Sequence, residues 1–232
     1  MERGDMGLSI VVPILGPPAA GKSTLALTLG ADPPRWVFRL REHVPADVLA
    51  ATMSAADRLG WIDDSVVDPT VRSYLEKAAE DSTVDAVLMD NFPGTSAQAQ
   101  MLIDTVADIA PECALEPVEL LLDERTRKRR AKQRRVCHSC EKDPISDPRM
   151  PAETTAPNSW TCARCGSLLH PRRGDAPSLF AARSRRHQDS TDAIRTAFTN
   201  AGYPVSALRA DQPPSEMARL VGALLNHRSH TA

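Results

Sequence analysis

Leu8-Ser-Ile-Val-Val-Pro-Ile-Leu15 continues directly into Gly16-Pro-Pro-Ala-Ala-Gly-Lys-Ser23. These sixteen residues carry the strongest indication of the fold. The first half is almost continuously apolar, which is typical of a strand buried on both faces of a parallel sheet. Pro13 is the exception, because it has no N–H to donate to a ladder. After the glycine turn, Ser23 to Leu29 have the pattern of a helix that Gly30 ends. A strand, a glycine turn and a helix predict the opening of a βαβ unit.

The glycine turn satisfies the pattern G-x-x-x-x-G-K-[S/T], in which backbone N–H groups and the dipole of the following helix hold phosphates. Lys22 is expected to neutralise the β- and γ-phosphates of ATP, and the Ser23 hydroxyl to ligate Mg²⁺. Asp90 ends a second apolar run at the edge where ligands bind in open α/β sheets, so it is a second candidate for the magnesium site. Simpler interpretations stay open here: a glycine turn with an exposed lysine, and an aspartate that merely ends a strand. The predicted contacts of the nucleotide are Gly16, Ala19, Ala20, Gly21, Lys22, Ser23 and Thr24.

Strand and helix patterns alternate along the rest of the chain. They predict a strand over Val84 to Asp90, a helix over Gln98 to Ala110, a strand over Cys113 to Glu116, a helix that begins at Pro117, a strand over Pro204 to Leu208 and a helix over Ser215 to Leu225. The helix from Pro117 is inferred from an apolar stripe of Val118, Leu121 and Leu122. This alternation predicts an α/β fold, with a P-loop parallel sheet flanked by helices.

Four of the five cysteines form two Cys-x-x-Cys pairs, Cys137/Cys140 and Cys162/Cys165. Such pairs can place four thiolates tetrahedrally around Zn²⁺, and a closed set of four leaves no open position for catalysis. Residues 137–177 contain few periodic apolar positions, so a bound metal would replace a hydrophobic core there. The spacing therefore predicts a structural zinc site in a small inserted domain. A redox-active pair and a vestigial site are the alternatives.

Composition limits the classes of partner. The 232 residues carry a net charge of −2, and 4% of them are aromatic. Neither value favours nucleic acid, which is usually bound by a basic surface with aromatic side chains for stacking. The apolar runs are far shorter than the roughly 20 residues of a membrane span. Because the paired cysteines indicate a metal site in a reducing compartment, we expect a cytoplasmic protein that is monomeric and has neither anchor nor signal peptide.

Four motifs, in this order, resemble the adenylate kinases, in the form whose lid carries four zinc-binding cysteines. They are Gly16-Pro-Pro-Ala-Ala-Gly-Lys-Ser-Thr24, similar to GxPGxGKGT; Asp90-Asn-Phe-Pro-Gly-Thr95 with Gln98-Ala99, similar to DGFPRT-xx-QA; Glu124-Arg-Thr-Arg-Lys-Arg-Arg130, similar to [D/E]-R-I-x-G-R-R; and Leu169-His-Pro-Arg-Arg-Gly-Asp175 with Arg183, similar to L-x-x-R-x-D-D and the arginine after it. The resemblance extends over most of the chain. The glycine loop alone is shared with many nucleotide-binding proteins, but the ordered combination is specific.

This resemblance implies a division of the chain and a role for each matching residue. Residues 1–126 and 177–232 would form the P-loop core, with an acceptor-binding region at about 35–70, and residues 127–176 a zinc-binding lid that moves as a rigid body. By this resemblance Arg125 would cover the ATP adenine. The transferred phosphoryl group would contact Lys22, Arg129, Arg172 and Arg183. Asp175 would orient the lid arginines, and Arg41 and Gln98 would contact the acceptor. The implied reaction is AMP + ATP to 2 ADP, with Mg²⁺ and a structural Zn²⁺.

The sequence departs from the family pattern mainly on the acceptor side. Asn91 and Gly94 replace the glycine and arginine of DGFPRT, and Gly174 replaces the first aspartate of the lid pair. Trp36-Val-Phe38 stands where the family has Thr-Gly-Asp, and Ala19 where a glycine would ease the approach to phosphate. These departures leave open a P-loop kinase for another nucleotide or small metabolite. The cysteine pairs and the arginine-rich helix leave open a zinc protein that binds nucleic acid under nucleotide control.

Overall fold

The computed structural model describes residues 7–32, 34–54, 59–142, 147–148, 150–157 and 159–228. Its strands are β1 Ile10–Leu15, β2 Arg35–Phe38, β3 Ala86–Asp90, β4 Ala114–Leu115, β5 Val118–Leu121, β6 Arg135–Val136, β7 His170–Pro171 and β8 Ser206–Arg209. Its helices are α1 Lys22–Leu29, α2 Leu40–His43, α3 Ala46–Ser54, α4 Asp64–Glu80, α5 Ser96–Ile109, α6 Glu124–Gln133, α7 Pro177–Asn200 and α8 Pro214–Arg228, with a 3₁₀ turn at Arg173–Asp175. Across the described ranges, no helix is both long and apolar enough to cross a bilayer.

The main sheet is parallel and has the strand order β2-β3-β1-β5-β8, with β4 pairing beside β5 along β1. Every residue of β1 is buried, as its unbroken apolar run predicts. Val11 belongs to a core cluster that includes residues of α4, α5 and α7, whereas Val12 and Ile14 belong to a second cluster with α1 and α8. Helices thus cover both faces, and the predicted α/β class with a P-loop sheet is confirmed.

Pro13 fits into the central strand because of where its neighbours pair. Ile10 donates its N–H to Asp85, and the carbonyl of Ile14 accepts from Asn91, so even-numbered residues bond towards β3. Val11 bonds to the other side, where its carbonyl accepts from the N–H of Glu116. Pro13 therefore faces the break between β4 and β5, where a missing N–H leaves no gap in a ladder.

The helix expected to begin at Pro117 is wrong. Residues Val118–Leu121 form β5, which lies between β1 and β8, and the helix begins only at Glu124. Val118 and Leu120 are almost completely buried, so the apolar residues fill both faces of an inner strand rather than one stripe of a helix. A short apolar run does not distinguish these two structures by spacing alone.

The segment expected to be a lid leaves the core through α6. This helix continues to Gln133, past the boundary predicted at residue 127, and ends just before β6. The antiparallel pair of β6 and β7 closes the base of the inserted segment. The break in regular structure therefore lies at Arg134, with Arg135 already paired to Pro171.

Candidate active site

The phosphate loop joins the end of β1 to the start of α1 and has a backbone that few residues can adopt. Gly16 has φ 135°, and a Cβ there would lie 2.7 Å from the carbonyl oxygen of Leu120, so only glycine fits. Gly21 has φ 104° and precedes α1. Ala19 has φ 65°, a left-handed conformation that an alanine adopts at some cost. The loop thus opens the N-terminus of α1 towards the cleft above the sheet.

Lys22 folds back over this loop. Its Nζ donates to the carbonyls of Gly16 at 2.6 Å and Pro17 at 2.9 Å. Burial lowers the pKa of Lys22 to about 7; the nearby carboxylate of Asp90 opposes this shift, and Arg183 and other cleft guanidinium groups add to it. A phosphate arriving at the loop would restore the charged form, because an anion next to the amine favours its protonation.

A cleft of about 500 Å³ runs from the phosphate loop across the ends of β1 and β3 to α7 and the base of the lid. Positive charge dominates its walls. The arginines that line it are Arg39, Arg41, Arg134, Arg172, Arg173, Arg183 and Arg186. An arrangement of this kind can bind a polyphosphate and neutralise charge that develops during its reaction.

Asp175 is the carboxylate that gathers the lid arginines, the position that the resemblance implied for it. Its oxygens accept two hydrogen bonds from Arg134, at 2.7 Å from Nε and 2.6 Å from Nη2. Arg183 lies 3.9 Å from the same carboxylate and donates to the carbonyl of Gly174 at 3.0 Å. Burial lowers the pKa of Arg172 to about 10, and the charges of Arg134 and Arg183 contribute to the shift. The structure therefore brings Arg172 and Arg183 together next to Lys22.

Arg125 and Arg129, by contrast, are exposed and do not line the cleft. Arg130, in the last turn of α6, and Arg134, which caps its C-terminal end, make contacts with the core and the lid instead. Arg134 reaches Asp175, and Arg130 donates to the carbonyls of Ala210 at 2.8 Å and Ala20 at 3.4 Å. Because the buried face of α6 runs through Arg127 and Ala131, Arg125 and Arg129 lie on the solvent side. The roles expected of Arg125 and Arg129 are thus not supported by their positions.

The residues expected to hold magnesium lie beside Lys22. Ser23 lines the cleft, and the side chain of Asp90 is 2% exposed. One carboxylate oxygen of Asp90 lies 3.1 Å from Nε of Arg39, while its buried Oδ1 accepts no hydrogen bond from the described residues. A buried carboxylate oxygen without a donor, in the cleft that Ser23 also lines, suits a hard cation such as Mg²⁺ or its bound water. Arg39 was missed, although it stands in the same Val37-Phe-Arg-Leu-Arg41 run as Arg41.

At the far end of the cleft, Arg41 and Gln98 are held by protein groups. Arg41 donates to the carbonyl of Leu59 at 3.3 Å and also to that of Gly60. Gln98 accepts from the N–H of Gly94 at 2.9 Å and donates to the carboxylate of Asp64 at 2.7 Å. Both side chains are therefore fixed in the region where an acceptor was expected.

Gly174, which replaces an aspartate of the family pattern, has a carboxylate beside it all the same. Asp147 accepts from the backbone N–H groups of Gly174 at 2.8 Å and Arg173 at 3.0 Å. Burial raises the pKa of Asp147, but these two N–H groups and the charges of Arg172 and Arg173 outweigh it, so the net shift is downward. Sequence reasoning missed Asp147, because its partner lies far along the chain.

The four paired cysteines converge as their spacing predicts. The sulfur atoms of Cys137, Cys140, Cys162 and Cys165 all lie within 4.8 Å of one another. The Sγ atoms of Cys137 and Cys165 are 3.5 Å apart, and those of Cys140 and Cys162 are 3.7 Å apart. A tetrahedral Zn²⁺ with bonds of about 2.3 Å separates its sulfurs by about 3.8 Å. The set fits Zn²⁺, and among the described residues the buried cluster around these cysteines adds Leu169, with Ala152 packed against it.

Comparisons with known proteins agree with this geometry. The chain is 29% identical over 187 residues to a protein of Salinispora tropica named adenylate kinase, a match that covers 77% of this chain and 81% of that protein. It is 25% identical to an adenylate kinase of Bacillus cereus over 82% of this chain and 87% of that protein. An adenylate kinase of Bacillus thuringiensis is 24% identical over the same shares. No model of a protein family matches the chain.

The zinc site leads to a first prediction. We expect the double variant Cys137→Ser, Cys140→Ser to lose bound zinc and to melt more than about 5 °C below the wild type, because removing half the ligands leaves the segment without a core. Zinc content by elemental analysis and melting by calorimetry measure this. Cys113→Ala, which alters a buried cysteine of the core, is the control and should keep its zinc. Unchanged zinc content in the double variant would contradict the site.

His187 on α7 leads to a second prediction, about pH. Burial lowers its pKa to about 4, helped by the charges of Lys22, Arg127 and Arg195, from a value of about 6.5 in the unfolded chain. As pH falls from 6.5 towards 4, the unfolded chain takes up this proton first, so stability is lost over that window. His187→Gln should therefore lose less stability than the wild type between pH 6.5 and 4.5.

Urea unfolding at the two pH values measures this difference. His170→Gln, which changes an exposed histidine of β7, is the matched control. Equal acid sensitivity of the wild type and His187→Gln would show that His187 does not contribute.

Proposed function

We propose that this chain, a homologue of adenylate kinases, is a nucleoside monophosphate kinase that transfers the γ-phosphoryl group of ATP to AMP and so forms two ADP. The observation that carries the proposal is the juxtaposition of the phosphate loop with the arginines gathered by Asp175. Lys22 donates to carbonyls of that loop, and Arg134 and Arg183, which contact Asp175, line the same cleft. In a homologue of kinases, such a loop can hold the donor phosphates, and the arginines can neutralise the charge of the transferred group.

The proposed chemistry is direct and in line. An oxygen of the acceptor phosphate attacks the γ-phosphorus, and the bond to the bridging oxygen of ADP breaks. The acceptor phosphate is already largely ionised near neutral pH, so no general base is required, and rate enhancement comes from positioning and charge neutralisation. Lys22, Arg134, Arg172 and Arg183 are proposed to neutralise the transferred group.

Arg130 is proposed to cover the donor base in place of Arg125. Its guanidinium lies against the carbonyls of Ala20, in the phosphate loop, and Ala210, just after β8. A planar cation at that point can stack on a purine and leave the Ala210 carbonyl to accept a hydrogen bond from it. The donor nucleotide would then lie between the phosphate loop and α6.

Magnesium is proposed to bind at Ser23 and, through water, at Asp90. When bound there, Mg²⁺ would reduce the negative charge of the phosphates. Because Arg39 already contacts one oxygen of Asp90, the cation and Arg39 would share this carboxylate. The other oxygen of Asp90 is the candidate acceptor for water of the hydrated ion.

The inserted segment is proposed to close over the bound nucleotides. Residues 127–176 are the predicted lid, and residues 1–126 and 177–232 are the predicted core. Because α6 continues to Gln133, we propose that the hinge lies near Arg134. Closure would exclude water, which competes with the acceptor for the phosphoryl group. Zinc at the four cysteines would keep the segment rigid while it moves.

A different acceptor is the second candidate, and one observation favours it. Both ends of the Gln98 amide are hydrogen-bonded to protein groups, with the carboxylate of Asp64 on one side. A carboxylate accepts hydrogen bonds only, so it would favour a base that presents donors at this edge. Guanine presents two adjacent donors, whereas adenine presents one amino group.

An acceptor panel tests the proposal. Purified protein is supplied with ATP, Mg²⁺ and, in turn, AMP, GMP, CMP and UMP, and ADP is followed with a coupled assay. We expect fastest turnover with AMP and loss of turnover in Lys22→Met. Preference for GMP would favour the second candidate, and silence on all four monophosphates would exclude the proposed function.

Arg134, which caps the C-terminal end of α6, and Arg129, on the solvent side of α6, should differ in their effect on kcat. Arg134→Ala should lower kcat on the order of a hundredfold, because it removes a cation that stabilises the transferred group. Arg129→Ala, on the solvent side of the same helix, should stay within about twofold of wild type. Steady-state kinetics with both variants measures this contrast. Equal losses of kcat in the two variants would contradict the role proposed for Arg134.

A further inference from the structure

The indole of Trp61 is enclosed between a glycine and an arginine at the far end of the cleft. A Cβ at position 94 would lie 3.0 Å from Cη2 and 3.3 Å from Cζ3 of Trp61. Gly94 therefore leaves the room that the indole occupies. On the ring itself lies the guanidinium of Arg186, with its carbon 3.8 Å from the ring centroid. This is the geometry of a cation–π interaction, which favours one orientation of the arginine.

Arg186 comes from α7, three residues after Arg183 and hence on the same face of the helix. Both side chains line the cleft that also contains Arg41 and the phosphate loop. Arg183 is bound to Gly174 and lies near Asp175 at the lid. Arg186 instead lies on Trp61, in the loop before α4. Although both arginines come from one face of α7, Arg183 thus contacts the lid and Arg186 contacts the loop before α4.

We infer that Arg186, held in place by Trp61, binds the phosphate of the acceptor together with Arg41. This inference rests on the proposed function and names a residue that determines its acceptor. The cation–π contact uses the face of the guanidinium, whereas the N–H groups of an arginine lie in the plane of that group and have the geometry to match phosphate oxygens. Trp61 acts through Arg186 and is a positioning residue.

Substitution of Arg186 tests the contact. Arg186→Ala should raise the KM for the acceptor monophosphate by about tenfold to a hundredfold, as expected for loss of a charge-assisted hydrogen bond, with a smaller change in kcat and little in the KM for ATP. Arg186→Lys should have an acceptor KM between those of the wild type and Arg186→Ala. Arg185→Ala removes the same charge from an exposed position of the same helix and should behave as the wild type.

Substitutions around the indole test the positioning role. Trp61→Ala should raise the acceptor KM less than Arg186→Ala does, because the cation remains but is no longer held. Trp61→Phe keeps an aromatic face and should restore most of the affinity. Rescue by Trp61→Phe but not by Trp61→Leu would show that the aromatic face orients Arg186. Equal rescue by both variants would mean that the side chain at this position only fills space.

Binding without turnover keeps the test independent of the proposed function. Calorimetry compares each nucleoside monophosphate with its nucleoside, in wild type and in Arg186→Ala, without ATP. We expect the variant to lose at least about tenfold in affinity for the monophosphate and less than about twofold for the nucleoside. Equal losses for both, no loss for either, or a wild type that binds the monophosphate no more tightly than the nucleoside would each overturn the inference. Failure of all acceptors in the turnover panel would instead reject the proposed function.

Discussion

The buried carboxylate of Asp175 holds together cations that would otherwise repel one another. Its side chain is 3% exposed and binds Arg134 through both oxygens, with Arg183 nearby. Positive charge from these arginines and from Arg172 extends to Lys22, whose pKa is lowered mainly by burial. The cleft therefore brings several like charges together around one carboxylate. Binding of an anionic substrate would relieve their repulsion, which supports the proposed closure of the lid around it.

The inserted segment solves a different physical problem, since it must be rigid without a hydrophobic core. Its buried cluster consists of Cys137, Cys162 and Leu169. Four thiolates bound to one Zn²⁺ would fix two turns relative to each other and so supply rigidity that packing does not. The proposed movement of the segment would change its contacts with the core, since Arg183 of α7 donates to the carbonyl of Gly174.

Two glycines at the cleft have charged neighbours that come from elsewhere in the chain. Beside Gly174 lies the carboxylate of Asp147, and over the indole next to Gly94 lies the guanidinium of Arg186. A motif read along the sequence records each glycine as a lost charge. In the folded chain the charge enters from another element, so local departures from a motif do not by themselves measure the loss of a site.

The sequence by itself determined the parallel α/β fold, the phosphate loop and the four-cysteine site, because each depends on residues that are close together in the chain. It did not determine β5, since Val118 and Leu120 could form a helix stripe or a buried strand, and only pairing with β1 and β8 decides between them. Likewise the resemblance pointed to Arg125 and Arg129, whereas Arg130 contacts the phosphate loop and Arg134 contacts Asp175 of the lid. That outcome depends on the orientation of α6, in which Arg127 and Ala131 are buried while Arg125 and Arg129 face solvent.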